Sequence, residues 1–328
     1  MTVPAAIAWD AHTCLPIAQN ADLNLLDRHR AAGFRYVSVN VGMDMTPIAD
    51  IMLCLAQFRR SIAAHPDCLV LADSLAMVEE AAASGRLAVA FDLEGAKPLL
   101  GESAMVQLFA DLGVRQMHLI YNRGNAVGGG CHDPQDPGLS DFGRGVILAM
   151  ADAGVVLDVS HAGVRTSLEM IEASPHPVVF SHANVRALYN HPRNLTDCQI
   201  DACAARGGVI GVTAHSLLTG KTLNSAETVA AHIEYIAARV GAAHVGLGLD
   251  YCYETDIASL SDDLDIEYWW PARWGYREPG HVAGPPDLLG PLAALLQRRG
   301  YDEEMLAAIL GGNFLRVATA VWPTRWST

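Results

Sequence analysis

Imidazole and carboxylate side chains stand at the ends of apolar runs in this sequence. These residues are His12, Glu94, His161, His182 and Asp250. Imidazole and carboxylate together are typical ligands of zinc and other first-row divalent ions. A carboxylate has two oxygens, so Glu94 can bridge two ions. One ion would be held by His12 and Cys14, and the other by His161 and His182. The pattern predicts a site for one or two Zn²⁺ ions.

The chemistry that such a site supports is hydrolysis. Two ions roughly 3.5–4 Å apart can share a water molecule, lower its pKa and stabilise an oxyanion. Asp250 would take a proton from that water and pass it to a leaving amine. Each residue alone has a simpler role open to it: a histidine as a hydrogen-bonding partner, Glu94 as the partner of an arginine, Asp250 as a helix cap. Their joint position at the ends of separate runs favours the metal site.

Eight apolar runs carry or surround these residues and alternate with helix-like stretches. The runs are residues 6–12, 36–41, 87–94, 114–121, 155–161, 177–182, 208–214 and 244–251. They are rich in Val, Ile, Leu and aromatic residues, as buried strands are. Between them, 166–173 and 227–240 have apolar residues at helical spacing. This alternation predicts an α/β fold, a (β/α)8 TIM-like barrel, in which the polar residues at the strand ends meet at one mouth.

The rival architecture is a doubly wound open sheet, but no G-x-G-x-x-G follows the first run, as a nucleotide-binding version would have. We predict a single domain over residues 1–328, with loop excursions at 122–142 and 256–286. Long loops that follow barrel strands lie on the active-site face. The aromatic residues of the second excursion either line the site or pack the excursion against the barrel.

Composition and charge exclude several classes of protein. Acidic residues outnumber basic ones by 36 to 22, and no Lys/Arg cluster occurs, so we expect no nucleic-acid partner. No apolar run reaches roughly 18 residues, so we expect no membrane-spanning helix. The seven cysteines are odd in number and form no C-x-x-C pair, which fits a reducing compartment. We therefore expect a soluble, cytoplasmic protein.

Successive motifs along the chain resemble those of the membrane (renal) dipeptidase family, peptidase M19, and especially its soluble bacterial-type members. The motifs are WDAHTCLP, FDLEGAK, LIYNRGNAVGGGC, GLSDFG, LDVSHAG, FSHAN, HPRN, VGLGLDY and ILGGNFLRV. They follow the family's order and cover nearly the whole chain. The resemblance implies a TIM-like barrel with a binuclear zinc site that cleaves dipeptides, including some with a D-residue at the C-terminal position. It also implies that a homodimer is common.

The resemblance also implies roles for individual residues. His12 matches the histidine of the family's H-x-D motif, Glu94 the bridging glutamate, and His161 and His182 the histidines of the other metal. Arg193 in HPRN matches an arginine that holds the substrate carboxylate, a role that suits a bidentate guanidinium. Without the resemblance, a surface ion pair would be the favoured role for Arg193. Asp250 matches the aspartate proposed as the proton carrier.

The sequence departs from the family pattern at Cys14, which replaces the aspartate of H-x-D. A thiolate keeps the negative charge and binds zinc well, but it is softer than a carboxylate. The first metal is then retained with an altered preference or lost. A buried, inert thiol is the alternative.

A second departure is Tyr121, which stands where the kidney member of the family has a histidine that polarises the transition state. A phenol can donate one hydrogen bond to an oxyanion but carries no positive charge. We expect His118, three residues earlier on the same strand, to point to the opposite face. Asn122 and Asn125 are expected to orient substrate, and His215 to face the mouth.

Three functions remain open at this point. The first is a zinc dipeptidase acting on small dipeptide-like substrates. The second is an amidohydrolase-type enzyme acting on another small amide, lactam or ester. Many such barrels bridge their metals with a carboxylated lysine, whereas no lysine ends a predicted strand here and Lys97 follows Glu94 in a loop. The third is a catalytically inactive barrel that binds a small molecule, a reading motivated by Cys14 and Tyr121.

Overall fold

The computed structural model describes residues 7–17, 21–221, 225–253, 264–278 and 281–323. Within them, ten strands form one parallel sheet in the order β10-β1-β2-β4-β5-β6-β7-β8-β9, with β3 paired to β4. The strands are β1 Ala8–Cys14, β2 Phe34–Met43, β3 Leu69–Leu71, β4 Leu87–Glu94, β5 Val114–His118, β6 Val156–Asp158, β7 Val179–Ala183, β8 Val209–Val212, β9 Val245–Leu247 and β10 Tyr251–Cys252.

The sheet curls until its last strands lie beside its first. β10 pairs with β1 in parallel, with Thr13 opposite Tyr251. The Asp250 amide donates to the His12 carbonyl at 3.0 Å, and the Leu249 amide donates to Asp10 Oδ1 at 2.8 Å. The prediction of a (β/α)8-like barrel is confirmed, and each of the eight predicted runs overlaps a strand.

Several predicted strand limits are wrong. The run predicted over 155–161 ends as a strand at Asp158, because Asp158 Oδ1 accepts the Ser160 amide at 2.9 Å and turns the chain. The run over 244–251 is broken between β9 and β10, where Asp250 adopts a positive φ of 55°. The short strands β3 and β10 were not predicted. Residue 6, the predicted start of the first strand, lies outside the described residues.

Helices follow most strands and cover the outside of the sheet. They are α1 Asp27–Ala32, α2 Ile48–Ala64, α3 Leu75–Ser84, α4 Met105–Asp111, α5 Asp141–Ala153, α6 Val164–Ala173, α7 Asp197–Ala205, α8 Ser216–Thr219, α9 Ala226–Val240, α10 Ile266–Trp269, α11 Leu289–Arg298, α12 Glu303–Ala307 and α13 Asn313–Val321. The helical stripe predicted over 227–240 is confirmed by α9, which buries Val229, Ile233 and Ile236. Ser225 begins this helix by accepting the Thr228 amide.

The amino-terminal end of the barrel is closed by aromatic side chains. Trp9 of β1 stacks on Tyr36 of β2, with ring centroids 3.5 Å apart. Phe314 of α13 and Trp322 pack on the same ring of Trp9. The core is therefore sealed at this end, and the polar mouth lies at the opposite, carboxyl end of the strands.

The last helical stretch, residues 303–321, contains α12, a π-helical turn and α13. By length and apolar composition alone it could cross a membrane, with a mean hydropathy of 1.3 over its most apolar window. Half of that window is buried inside the protein, where Val317 and Val321 pack in the same core as Trp9. Core helices of water-soluble domains have the same character, so this stretch alone does not indicate a membrane segment.

Candidate functional site

Four of the predicted metal ligands meet at the mouth of the barrel. They are His12 in β1, Glu94 at the end of β4, His161 after β6 and His182 in β7. Glu94 Oε1 lies 3.1 Å from His161 Nε2 and 3.6 Å from His182 Nε2. The same oxygen lies 3.6 Å from His12 Nε2. The two nitrogens His161 Nε2 and His182 Nε2 are 2.8 Å apart. All four side chains are buried.

The hydrogen bonds of His161 leave an unprotonated nitrogen facing the centre of this group. His161 Nδ1 lies 2.8 Å from Asn122 Oδ1, an oxygen that only accepts, so Nδ1 carries the proton. Nε2 then presents its lone pair to His182 Nε2 and Glu94 Oε1. The φ of 67° at His161 and of 55° at Asn122 are strained backbone conformations that hold this contact. A buried set of acceptors pointing at one another fits a bound cation.

The pKa values of His161 and His182 support the same conclusion, whereas burial of His12 is outweighed by Asp92 and Glu94, which raise the pKa of His12 well above its usual value. Burial, reinforced by Arg193, holds the pKa of His161 well below its usual value. Burial and the nearby His12 do the same to the pKa of His182. Burial raises the pKa of Glu94 to about 7, although His12 acts in the opposite direction. Neutral imidazoles are the form that binds metal, and a cation would compensate the buried carboxylate.

His12 is oriented by Asp92, a residue that the sequence reasoning missed. Asp92 Oδ1 lies 3.2 Å from His12 Nδ1, although the two are not aligned as a hydrogen bond. Ser38 donates to Asp92 at 2.7 Å and Asn40 at 3.2 Å. Carboxylates in this position orient metal-binding histidines and increase their basicity. The motif FDLE could have indicated this residue, because Asp92 lies two residues before Glu94 and therefore on the same face of the strand.

The expectation that His118 points away from the site is wrong. His118 ends β5 and lies inside the barrel, with a nitrogen within 4.8 Å of the ligand atoms of His12, Glu94 and His182. The alternation of side chains between the two faces of a strand does not extend from His118 to Tyr121, because β5 ends at His118.

His118 contacts Ser181, which in turn contacts the predicted ligand His182. His118 Nε2 contacts Asp158 Oδ2 at 2.8 Å and Ser181 Oγ at 3.1 Å. Burial opposes protonation of His118, but Asp158 outweighs it and raises the pKa of His118. The same contact overcomes burial and lowers the pKa of Asp158 to about 2. Nε2 faces a carboxylate and Nδ1 lies 3.3 Å from the Leu93 carbonyl oxygen, and these contacts give His118 a supporting role beside the predicted ligands.

A second group of potential ligands lies on the other side of His12. Cys14 Sγ is 3.5 Å from His12 Nε2, and Asp250 Oδ1 is 3.8 Å from the same nitrogen. The ligand atoms of the three residues lie within 4.8 Å of one another. The neighbouring Cys252 and burial raise the pKa of the Cys14 thiol well above its usual value. The side chain of Asp250 is 20 % exposed, so solvent reaches its carboxylate.

Two further predicted residues flank the metal ligands. The ring of Tyr121 stacks on His161 at 4.6 Å, and its hydroxyl accepts a hydrogen bond from Trp270 Nε1 at 3.0 Å. The phenolic proton is thereby left to donate elsewhere. Arg193 is buried, and its Nη2 donates to the His182 carbonyl at 3.1 Å. The alternative of a surface ion pair for Arg193 is therefore wrong.

Asn122 and Asn125, expected to orient substrate, make hydrogen bonds within the protein, and their role toward substrate stays a prediction. Asn122 Oδ1 binds the ligand histidine as described, and its Nδ2 donates to the Trp269 carbonyl at 3.1 Å. Asn125 Nδ2 donates to Asp44 Oδ2 at 2.9 Å, and its Oδ1 accepts the Val127 amide at 2.8 Å. Both amides shape the loop. Asn122 holds His161, and Asn125 holds the loop backbone.

The excursion after β10 packs over this site where the structure describes it. Trp269 and Trp270 form a buried cluster with Tyr121. Tyr276 approaches His132 Nε2 with its hydroxyl at 2.8 Å. Residues 256–263 and 279–280 of the predicted excursion lie outside the described residues. His215, expected at the mouth, caps α8 by accepting the Leu217 amide with Nδ1 at 3.2 Å.

Comparison with known proteins identifies the family. The family model for membrane dipeptidases, peptidase family M19, matches residues 28–267. The chain belongs to this family. We describe the protein below as an M19 metallohydrolase.

Relatives of this M19 protein cover most of its length. An uncharacterised protein from the pqqA 5' region of Klebsiella pneumoniae is 32% identical over 84% of this chain and 97% of its own length. Dipeptidase verJ of Clonostachys rogersoniana is 29% identical over 96% of this chain and 72% of its own. The crystal structure of an amidohydrolase from Pseudomonas aeruginosa has a TM-score of 0.85 and 26% identity, covering 97% of both chains.

Proposed function

We propose that this M19 protein is a zinc-dependent dipeptidase that hydrolyses the amide bond of small dipeptides. The proposal rests on one observation. The side chains of Glu94, His12, His161 and His182 are buried in contact with one another, and Arg193 lies beside them. A divalent cation in such a site activates water and polarises a carbonyl group. Several relatives, including dipeptidase verJ, are named as dipeptidases, which supports dipeptides as the substrate class.

The chain's own residues supply the remaining functions. Arg193 is fixed through the His182 carbonyl, so its charge is held beside a metal ligand and can bind the substrate's terminal carboxylate. Tyr121, held by Trp270, has a proton to donate to the oxyanion that develops on the substrate carbonyl. Asp250 lies at the exposed edge of the site and can carry a proton to the leaving amine.

Metal analysis and hydrolysis assays with the purified protein test this proposal. We expect bound zinc, hydrolysis of L,L- and L,D-dipeptides, loss of activity with a chelator and recovery with added Zn²⁺. Glu94→Gln should lose metal and activity together. A protein that binds no metal and remains inactive after zinc addition contradicts the proposal.

The role of Arg193 has its own prediction. Replacing it with Gln should raise KM for a free dipeptide by about 10- to 100-fold, because a charged hydrogen bond to carboxylate is lost. The KM for a dipeptide amide, which has no carboxylate, should change little. Arg273→Gln, an exposed arginine in the excursion, is the matched control. An equal change for both substrates would show that Arg193 does not bind the carboxylate.

A second candidate is hydrolysis of another small amide, a lactam or an ester. Tyr121 and Cys14 favour it, because both differ from the family pattern at groups that touch the reacting centre or the metal. Activity on such compounds without activity on dipeptides would establish this alternative. Metal binding with no hydrolysis of either class would instead support a small-molecule-binding barrel.

A further inference from the structure

Two cysteines from opposite ends of the chain meet at the barrel mouth. Cys14 ends β1 and Cys252 ends β10, and the two residues lie directly opposite each other in the parallel pairing. Backbone partners in adjacent strands are about 5 Å apart, so both thiols are held close by the sheet itself. Both side chains are half-buried, with neither sealed in the core.

The thiol pair adjoins the second group of ligands. Cys14 Sγ is 3.5 Å from His12 Nε2, whose distance to Asp250 Oδ1 is 3.8 Å. Cys252 Sγ lies 3.7 Å from the carbonyl oxygen of Asp250, so it sits on the same turn of chain. One imidazole, one carboxylate and the sulfur of Cys14 are thus gathered within 4.8 Å of one another, and the thiol of Cys252 lies beside that of Cys14.

We propose that Cys252 joins Cys14 and His12 as a ligand of a thiolate-rich metal position, which selects a thiophilic ion such as Zn²⁺ or Cd²⁺ over Mn²⁺ or Mg²⁺. The donor set carries the argument. Two thiolates with one imidazole are a set that catalytic zinc uses, with a further position left open. Soft sulfur ligands favour zinc over the harder ions that prefer oxygen.

This inference refines the metal site of the proposed function and rests on its being metal-dependent. It adds a ligand, Cys252, that neither the sequence pattern nor the family resemblance assigned. It also gives a physical reason for Cys14, because a sulfur in place of the family's aspartate gains a second sulfur as its partner. The described side chains that meet at Glu94, His161 and His182 offer the harder nitrogen and oxygen donors.

The test uses Cd²⁺ as the probe on the full chain, kept reduced with a phosphine. Thiolate-to-cadmium charge transfer absorbs in the ultraviolet and counts bound sulfurs. We expect Cys14→Ser and Cys252→Ser each to lose about half of the wild-type absorbance, and the double variant to lose all of it. Cys198→Ser, which changes an exposed cysteine, is the matched control and should keep the full band.

Further readouts separate ligand loss from misfolding. Cys14→Asp together with Cys252→Ser should lose the band, keep metal bound and shift selectivity from Cd²⁺ towards Mn²⁺ by at least 10-fold. Circular dichroism checks the fold of every variant. A full band in Cys252→Ser, or no band in the wild type, overturns the inference. A thiolate band in a protein that hydrolyses no dipeptide supports the inference and counts against the proposed function. Hydrolysis of dipeptides without a thiolate band supports the proposed function and overturns the inference.

Discussion

Some residues near the mouth of the barrel orient their neighbours without contacting a predicted metal ligand. Asp44 is one of these orienting residues. Its carboxylate accepts the Lys97 amide at 2.9 Å, the Tyr121 amide at 3.3 Å and Asn125 Nδ2 at 2.9 Å. These bonds tie the loop after β4 to the loop after β5. In this position the Asp44 carboxyl group is buried, and burial raises the pKa of Asp44 to about 6.

This pKa predicts a pH dependence of stability. The folded protein binds the Asp44 proton more tightly than the unfolded chain, whose aspartates titrate near 3.9. The contribution of Asp44 to stability is therefore full below pH 4 and falls as the pH rises through 6. Asp44→Asn loses hydrogen bonds at every pH but removes the titration. Relative to this variant, the wild type should lose roughly 1–3 kcal/mol between pH 4 and 7.

Urea unfolding of both proteins across this pH range measures the difference. Comparing the two curves cancels the groups that titrate in both. Parallel curves would show that Asp44 is ionised in the folded protein throughout the range.

At the scale of elements, β7 lies unusually close to the backbone of its neighbours. A Cβ at Gly211 of β8 would be 1.9 Å from the Ser181 carbonyl oxygen, and one at Gly248 would be 1.8 Å from it. Ser181 contacts His182 Nδ1 with its hydroxyl at 2.8 Å. The two glycines therefore allow β7 to lie close to its neighbours, and this position of β7 places His182 in the candidate site.

Gly248→Ala is expected to force β7 away from its neighbours. We predict a loss of about 1–3 kcal/mol in unfolding free energy, as for other overpacked cores, and weaker metal binding. Gly290→Ala is the control, because a Cβ there has no atom within 4 Å and the site is in a helix, α11. That change should stabilise the protein by roughly 0.5–1 kcal/mol. Thermal unfolding and metal titration measure both. Wild-type metal affinity in Gly248→Ala would contradict the link between this packing and the site.

For the whole molecule, a buried network joins the first strand to the last. Asp10 Oδ1 accepts the Leu249 amide, and Asp10 Oδ2 contacts His29 Nε2 at 2.8 Å. His29 Nδ1 in turn contacts the hydroxyl of Tyr253 at 2.8 Å. Asp10 and His29 are fully buried. The network fixes the seam of the barrel, beside which Cys14 and Asp250 must meet.

Removing Asp10 should weaken this closure. Asp10→Ala leaves a buried amide and a buried histidine without their partner, and we predict a loss of about 3–5 kcal/mol. Asp10→Asn keeps an acceptor and should lose less. Asp287→Ala removes an exposed partner of Arg28, and should cost no more than about 1 kcal/mol. Urea unfolding ranks the three variants. Equal stability of Asp10→Ala and the wild type would show that the seam does not depend on this network.

Local patterns determined much of this protein. Eight apolar runs specified eight barrel strands, because burial on both faces requires continuous apolar residues. Helical spacing of apolar residues specified α6 and α9. The parallel alternation then required that Glu94, His161 and His182 share one rim, since the carboxyl ends of barrel strands converge. These conclusions needed only neighbours in the chain and one rule of topology.

Tertiary structure alone decided which side chains touch. Cys14 and Cys252 are 238 residues apart, and no spacing predicts that β10 pairs with β1 at that register. Asn122 faces His161 because two positive φ angles turn their loops together. His118 lies inside the barrel because β5 ends before Tyr121. Strand ends, turn conformations and register depend on contacts between distant segments, and such contacts leave no periodic trace in the sequence.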